Sequence, residues 1–92
     1  MKDRVTDDTR LRVLNLVRQI LADNSIETAF TIYDRLADIG LRSMDMVSLM
    51  LGIEAEFDVV IPQDDVTPEN FTSVATIETV VARILTAKRV AS

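Results

Sequence analysis

Residues 43–58 contain a helical pattern that is apolar on two faces, and this pattern constrains the fold more than any other feature. One stripe follows the three- and four-residue spacing of a helix that faces a core. Its members are Met46, Leu49, Met50, Ile53 and Phe57. A second stripe on the same helix consists of Met44, Val47 and Leu51. Because a small bundle needs only one such stripe, the second predicts a surface that other molecules contact.

The remaining pattern predicts a single all-α domain over residues 1–92, with a core between about residues 6 and 88. Three main helices are expected at about residues 7–22, 44–57 and 74–88, where apolar residues recur at helical spacing. We expect Thr6 and Ser73 to cap the first and last of these helices. Thr67 followed by Pro68 predicts the start of a short third helix. A long loop, residues 24–42, separates the first two main helices, with one helical turn expected near residues 33–37.

Composition excludes several classes of chemistry. The chain has no cysteine and no histidine, which rules out structural zinc, disulfides, a thiol nucleophile and a histidine base. Its two glycines cannot form a phosphate-binding loop, and its acidic residues do not follow calcium-loop spacing. We therefore expect no metal site, no catalytic residues and no enzymatic activity. A small hydrolase that uses the adjacent Asp64 and Asp65 is disfavoured for the same reason.

The sequence also argues against nucleic-acid and membrane partners. The net charge is −5, tryptophan is absent and there is one tyrosine, so neither phosphate binding nor base stacking is favoured. No apolar run is long enough to span a membrane, and the charged N-terminus lacks the apolar block of a signal peptide. These features predict a cytoplasmic protein.

Every charged residue between Arg42 and Arg83 is acidic. The set is Asp45, Glu54, Glu56, Asp58, Asp64, Asp65, Glu69 and Glu78. Two interpretations stay open: the stretch steers a basic partner, or it is the ordinary surface of an acidic protein.

Ser43 likewise has two interpretations. It can be an ordinary helix N-cap, with its hydroxyl accepting a backbone N–H at a gain of about 1 kcal/mol. Alternatively, it can be a covalent attachment point for a phosphodiester, which would meet the N–H groups and the positive dipole end of the following helix.

The residues around Ser43 resemble a known motif. Residues 39–45 read Ile-Gly-Leu-Arg-Ser-Met-Asp, which resembles the phosphopantetheine attachment motif of acyl and peptidyl carrier proteins, Leu-Gly-x-Asp-Ser-Leu-Asp in many acyl carriers. The resemblance continues through residues 53–58, Ile61–Pro62 and residues 67–71, which echo the Glu-x-x-Phe-x-x-x-Ile-Pro run and the short third helix of carriers. From Thr6 to Leu85, the order and length of the helices also resemble those of the family.

The resemblance implies a monomeric four-helix carrier bundle, a phosphoprotein with 4′-phosphopantetheine on Ser43. A phosphopantetheinyl transferase would install this arm from coenzyme A. An acyl- or amino-acid-activating ligase would load its thiol with a thioester, and a downstream transferase would receive the cargo. Partners in this family dock on the second main helix. The corresponding residues here are Arg42, Met44, Asp45, Val47, Ser48, Leu51 and Glu54.

Departures from the motif argue against a housekeeping fatty-acid carrier and favour a stand-alone carrier for a special acyl or aminoacyl group. The sequence around Ser43 resembles that of small stand-alone carriers loaded by amino-acid ligases, so the resemblance favours an aminoacyl cargo. Arg42 stands where acyl carriers usually have aspartate, and Met44 replaces leucine. Ser48 and Ala55 occupy positions that are commonly acidic in fatty-acid carriers, so docking should be more apolar and less salt-sensitive. We expect no deep acyl tunnel. The alternative function is a non-covalent helical adaptor that binds partners through the second stripe.

Overall fold

The computed structural model describes residues 2–91, and its side chains are described for residues 8–88. Four α-helices follow one another along the chain: α1 (Lys2–Asp23), α2 (Leu36–Ile39), α3 (Ser43–Phe57) and α4 (Val74–Ala91). A single 3₁₀ turn, Gln63–Asp65, lies between α3 and α4. No strand occurs in residues 2–91. The prediction of an all-α carrier-type bundle with three main helices and one short helix is confirmed.

Two of the main helices are longer than predicted. Helix α1 begins at Lys2, so Thr6 lies inside the helix and does not cap it. The preceding residues include no proline or glycine that would stop a helix there. Helix α4 continues to Ala91, and the Arg89 side chain lies outside the described residues. Ser73 does cap α4, since its hydroxyl accepts the Thr76 N–H at 3.3 Å.

The short helix α2 lies before α3, close to the helical turn expected near residues 33–37, and no short α-helix follows α3 within residues 58–73. Residues 67–72, where a short helix was predicted, form successive turns instead. Their hydroxyl groups take hydrogen bonds that compete with a helix: Thr67 Oγ1 accepts the Asn70 N–H at 3.2 Å. Thr72 Oγ1 donates to the Pro68 carbonyl at 2.7 Å. Threonine hydroxyls close to the backbone commonly favour turns in this way.

Helix α1 packs against both α3 and α4. Fully buried side chains from the three helices form the centre of the core, and they are Val13, Val17, Leu49, Ile53, Val74 and Ile77. Gly52 allows α1 and α3 to approach closely, because a Cβ there would lie 3.3 Å from Leu16 Cδ2. This packing explains a glycine in the middle of α3, where it lowers helix propensity.

The loop after α1 is anchored to the start of α4. Leu36 N–H donates to the Thr72 carbonyl at 2.8 Å, and Ala75 N–H donates to the Ile32 carbonyl at 2.9 Å. Gly40 ends α2 with a φ of 118°, and Leu41 N–H donates back to the Leu36 carbonyl at 3.0 Å. Together these bonds place Arg42 and Ser43 beside the 67–72 turns.

Across residues 2–91, no helix has both the length and the apolar character that a membrane span requires.

Candidate functional site

Ser43 is the first residue of α3 and is exposed. The N-cap position belongs to Arg42, whose backbone is extended, with φ −102° and ψ 177°. The interpretation of Ser43 as the cap is therefore wrong. The reason is Asp45, whose carboxylate accepts the Arg42 backbone N–H at 2.9 Å and so caps the helix from inside. Within residues 8–88 the Ser43 hydroxyl forms no hydrogen bond to the protein, which leaves its oxygen available.

Asp45 also fixes the position of this helix end. Its second carboxylate oxygen accepts a hydrogen bond from the Asn24 side-chain amide at 3.0 Å. The bond from the Arg42 N–H, followed by the bond from Asn24, lowers the pKa of Asp45 below its usual value. The Arg42 charge adds a smaller lowering, and desolvation opposes the shift. Asp45, predicted as a docking residue, is thus engaged within the chain.

An open cleft of about 630 Å³ begins beside Ser43. One wall comes from α3, where Met46 and Met50 are half-buried and line the cleft. The opposite wall is the turn segment, with Val66, Pro68 and Phe71. The two-stripe pattern places Met46 and Met50 on the core-facing side of the helix. In the structure they are only partly buried against the core, and they also line this groove. The lining is mainly apolar and the cleft is open to solvent.

Two arginines lie at this cleft. Arg42 comes directly before Ser43, and Arg35 comes directly before α2. Both side chains are exposed, and neither forms an ion pair with another described residue. Sequence analysis did not identify Arg35, which is brought to the cleft by the bond between Leu36 and Thr72. No periodicity or motif in the sequence indicated that long-range contact.

The second apolar stripe of α3 is exposed, as predicted. Met44 is 77% exposed, Val47 50% and Leu51 60%. Ser48, on the same helix, is also exposed. The three apolar side chains form a surface that begins one residue after Ser43. We call this surface, Met44, Val47 and Leu51, the α3 face.

Glu54, the last predicted docking residue, has an internal partner. Its carboxylate accepts the Ile61 backbone N–H at 2.9 Å and so holds the extended segment after α3. The carboxylate is thereby committed to a hydrogen bond within the chain. Glu54 lies three residues after Leu51 on α3, and its carboxylate holds the backbone beside the α3 face.

Half of the acidic run, four of its eight side chains, forms ion pairs within the molecule. Glu78, which is buried, pairs with Arg10 of α1 at 3.0 Å. Glu56 pairs with Arg12 at 2.7 Å, and Asp65 with Arg83 at 2.8 Å. Lys88 lies 3.6 Å from an Asp58 carboxylate oxygen. Basic residues of α1 and α4 therefore neutralise half of the run, which favours the ordinary-surface interpretation. In the described part of the chain, no three acidic side chains are arranged to hold a metal ion.

Comparison with known proteins shows the family of this chain. No protein-family model matches the chain. Aminoacyl carrier protein 1 of Bradyrhizobium diazoefficiens is 54% identical over 74 residues, which is 80% of this chain and 82% of that protein. The chain belongs to the aminoacyl carrier proteins. Aminoacyl carrier protein 2 of the same organism is 54% identical over 67 residues, 73% of this chain and 75% of its own length.

Solved structures show the same family fold. One chain belongs to the Bradyrhizobium japonicum complex of glycine:[carrier protein] ligase with its cognate carrier protein and an analogue of glycyl adenylate. That solved chain superposes on this protein with a TM-score of 0.71 and is 53% identical in sequence. The match covers 80% of this chain and 96% of the solved chain. A second is from the complex of that ligase with glycylated carrier protein, with a TM-score of 0.68 and 54% identity over 77% and 96%.

The residues at this end of α3 fit the phosphopantetheine arm that the resemblance implies. The serine hydroxyl is exposed and has no protein partner among the described residues. The first turn of a 15-residue helix offers N–H groups that lack helical partners to an anion. An open apolar cleft starts at the same point, so the site combines an exposed hydroxyl, positive potential and an apolar groove.

Proposed function

We propose that this protein is a cytoplasmic, monomeric, single-domain carrier that holds an aminoacyl group on 4′-phosphopantetheine attached to Ser43. The observation that carries this proposal is the free, exposed hydroxyl at the start of α3 in a chain 54% identical to aminoacyl carrier proteins. When attached, the arm supplies the thiol that forms the thioester with the amino acid. The chain contributes no catalytic residue, and it raises the local concentration of the tethered cargo at its partners.

The residues around Ser43 make the hydroxyl available and hold it in place. Asp45 caps α3 and binds Asn24, so the start of the helix is fixed without using the serine. The buried side chain of Leu41 anchors the segment just before α3 to the core. A phosphopantetheinyl transferase would therefore meet an accessible oxygen on an ordered helix end, with coenzyme A as the donor of the arm.

We propose the α3 face as the docking surface for the transferase, for an amino-acid-activating ligase and for a downstream transferase. Met44, Val47 and Leu51 lie within about 12 Å of Ser43 along the helix axis, at a rise of about 1.5 Å per residue, so a partner that contacts them also reaches the arm. Arg42 and Ser48 border this face and belong to the proposed surface. Asp45 and Glu54 act indirectly, because their carboxylates hold the backbone on which the surface is built. The ligase is proposed because the matched carrier chains were solved with a glycine:[carrier protein] ligase.

In vitro loading tests the proposal. The full chain and the Ser43→Ala variant are incubated with a promiscuous phosphopantetheinyl transferase and coenzyme A, then with an amino-acid:[carrier protein] ligase, ATP and glycine. We expect the original chain to gain one phosphopantetheine and then one glycyl group by intact mass. Ser43→Ala should gain neither while keeping its helical circular dichroism. Modification of the alanine variant, or a folded original chain that resists the transferase, would contradict the proposal and favour a non-covalent adaptor.

A further inference from the structure

The distribution of basic side chains singles out the cleft beside Ser43. In residues 8–88, four basic side chains form ion pairs, and they are Arg10, Arg12, Arg83 and Lys88. The three others, Arg18, Arg35 and Arg42, form none with described residues. Two of these three, Arg35 and Arg42, line the same cleft. An acidic protein with a net charge of −5 thus keeps two guanidinium groups free at one place.

We propose that Arg35 and Arg42 form a guanidinium clamp that binds the phosphodiester linking the arm to Ser43. This inference rests on the proposed function, since it requires the arm on Ser43. Guanidinium groups bind phosphate oxygens through two parallel N–H donors, with a geometry that lysine cannot reproduce. Arg42 adjoins Ser43, and Arg35 lines the same cleft.

The backbone holds the two arginines independently of each other. Arg42 occupies the N-cap position, where its N–H donates to Asp45. Arg35 precedes Leu36, whose N–H donates to the Thr72 carbonyl. Both guanidinium groups therefore stand on anchored backbone, which lowers the entropy that would be lost on binding a phosphate.

Three acidic residues lie within four positions of this clamp in sequence, and their charges oppose an anion: Asp34, Asp38 and Asp45. The Asp34 carboxylate accepts the Thr31 backbone N–H at 2.7 Å. Asp45 comes three residues after Arg42. Its two carboxylate oxygens already accept hydrogen bonds from the Arg42 backbone N–H and the Asn24 amide. The Arg42 guanidinium forms no ion pair with it among the described residues. The Arg42 side chain therefore remains available for the phosphodiester. A clamp at this position would direct the arm along the apolar wall formed by Met46 and Met50.

Nuclear magnetic resonance of the full chain before and after loading tests the clamp. The arm is added with a promiscuous transferase and coenzyme A, and loading is verified by intact mass. In the original chain, we expect the Nε–H signals of Arg35 and Arg42 to shift on loading, while that of Arg18 stays in place. The ³¹P line of the loaded protein should narrow in the Arg35→Gln/Arg42→Gln variant, and the Arg18→Gln control should behave like the original chain.

Salt provides a second readout, because added salt screens an exposed phosphate–guanidinium contact. The ³¹P shift of the loaded original chain should move toward that of the double variant as sodium chloride is raised. If Arg42→Gln hinders the transferase itself, the Arg35→Gln variant and the Nε–H signals of the original chain give the same test.

The possible failures are distinguishable. If the transferase cannot load the folded original chain, the proposed function fails and the clamp fails with it. If loading succeeds but the Nε–H signals of Arg35 and Arg42 do not move, the clamp alone is overturned. The same conclusion follows if the loaded original chain and its double variant have identical ³¹P spectra at low salt.

Discussion

At position 43 the serine hydroxyl is free because a neighbouring side chain does the capping. Serine commonly caps helices, so its residue type alone favours a structural role. The third residue of α3, Asp45, accepts the Arg42 N–H and shifts the cap one residue toward the N-terminus. One carboxylate thus determines whether the serine is a helix cap or an available nucleophilic oxygen.

This role gives Asp45 a measurable pH signature. Its pKa is lowered in the folded chain, so its contribution to stability is complete above the ordinary carboxyl pKa of about 4. The contribution disappears as the pH falls through the lowered value. We therefore expect the free energy of unfolding to fall more steeply with acidification in the original chain than in Asp45→Asn, as measured by urea unfolding between about pH 6 and pH 2.

Glu27→Gln is the matched control. Glu27 is exposed and forms no hydrogen bond or ion pair among the described residues. Its variant should follow the pH profile of the original chain. Parallel profiles for Asp45→Asn and the original chain would show that the two hydrogen bonds of Asp45 do not contribute to folding.

Among the elements, the turn from α2 into α3 depends on Gly40. Its φ of 118° is unfavourable for any residue with a Cβ, and an added Cβ would lie 2.8 Å from Ile26 Cδ1. We expect Gly40→Ala to lower the free energy of unfolding by about 1–2 kcal/mol from backbone strain alone. The side-chain clash adds to this loss, and urea unfolding measures the sum.

A double variant separates the two causes. Ile26→Val removes the Cδ1 atom that the new Cβ would meet. Gly40→Ala should therefore cost less in the Ile26→Val background than in the original chain, with a remainder that reflects backbone strain. An equal cost in both backgrounds would exclude the clash, and no cost in either would exclude the strain.

The α3 face gives the prediction for docking. We expect the Val47→Ser/Leu51→Ser variant to raise the KM of the loading ligase for the carrier about 5- to 30-fold, as the loss of 1–2 kcal/mol of apolar contact would do. Because the proposed docking surface is mainly apolar, the KM should change little between low and moderate salt. Val60→Ser changes an exposed valine outside α3 and serves as the control. Equal KM values for the two variants would show that the docking surface lies outside the α3 face.

Helical periodicity predicted the elements well where each helix buries one face. The central helix, its exposed stripe and the Ser73 cap of α4 follow from local spacing and capping chemistry. The short helix was misplaced because hydroxyl bonds of Thr67 and Thr72 favour turns over a helix. The cleft and Arg35 depend on hydrogen bonds between residues far apart in sequence, such as Leu36 to Thr72. Local spacing carries no information about such contacts.

At the scale of the whole molecule, ion pairs connect the acidic run after Arg42 to the first and last helices. Basic residues of α1 and α4 pair with half of the run, including the buried Glu78, which is held by Arg10. Arg35 and Arg42 at the Ser43 cleft differ from these basic residues, because neither forms an ion pair with a described residue. The molecule thus presents an apolar α3 face and a basic cleft entrance on either side of the proposed attachment atom.

An intact-protein mass spectrum of the chain purified from the cells that produce it, with peptide mapping around Ser43, tests the central claim most directly. We expect one phosphopantetheine on Ser43 and an amino-acid mass on its thiol that hydroxylamine removes. Detection of a long-chain acyl group would contradict the aminoacyl assignment. An unmodified Ser43 in protein that also resists a transferase with coenzyme A would contradict the carrier function itself.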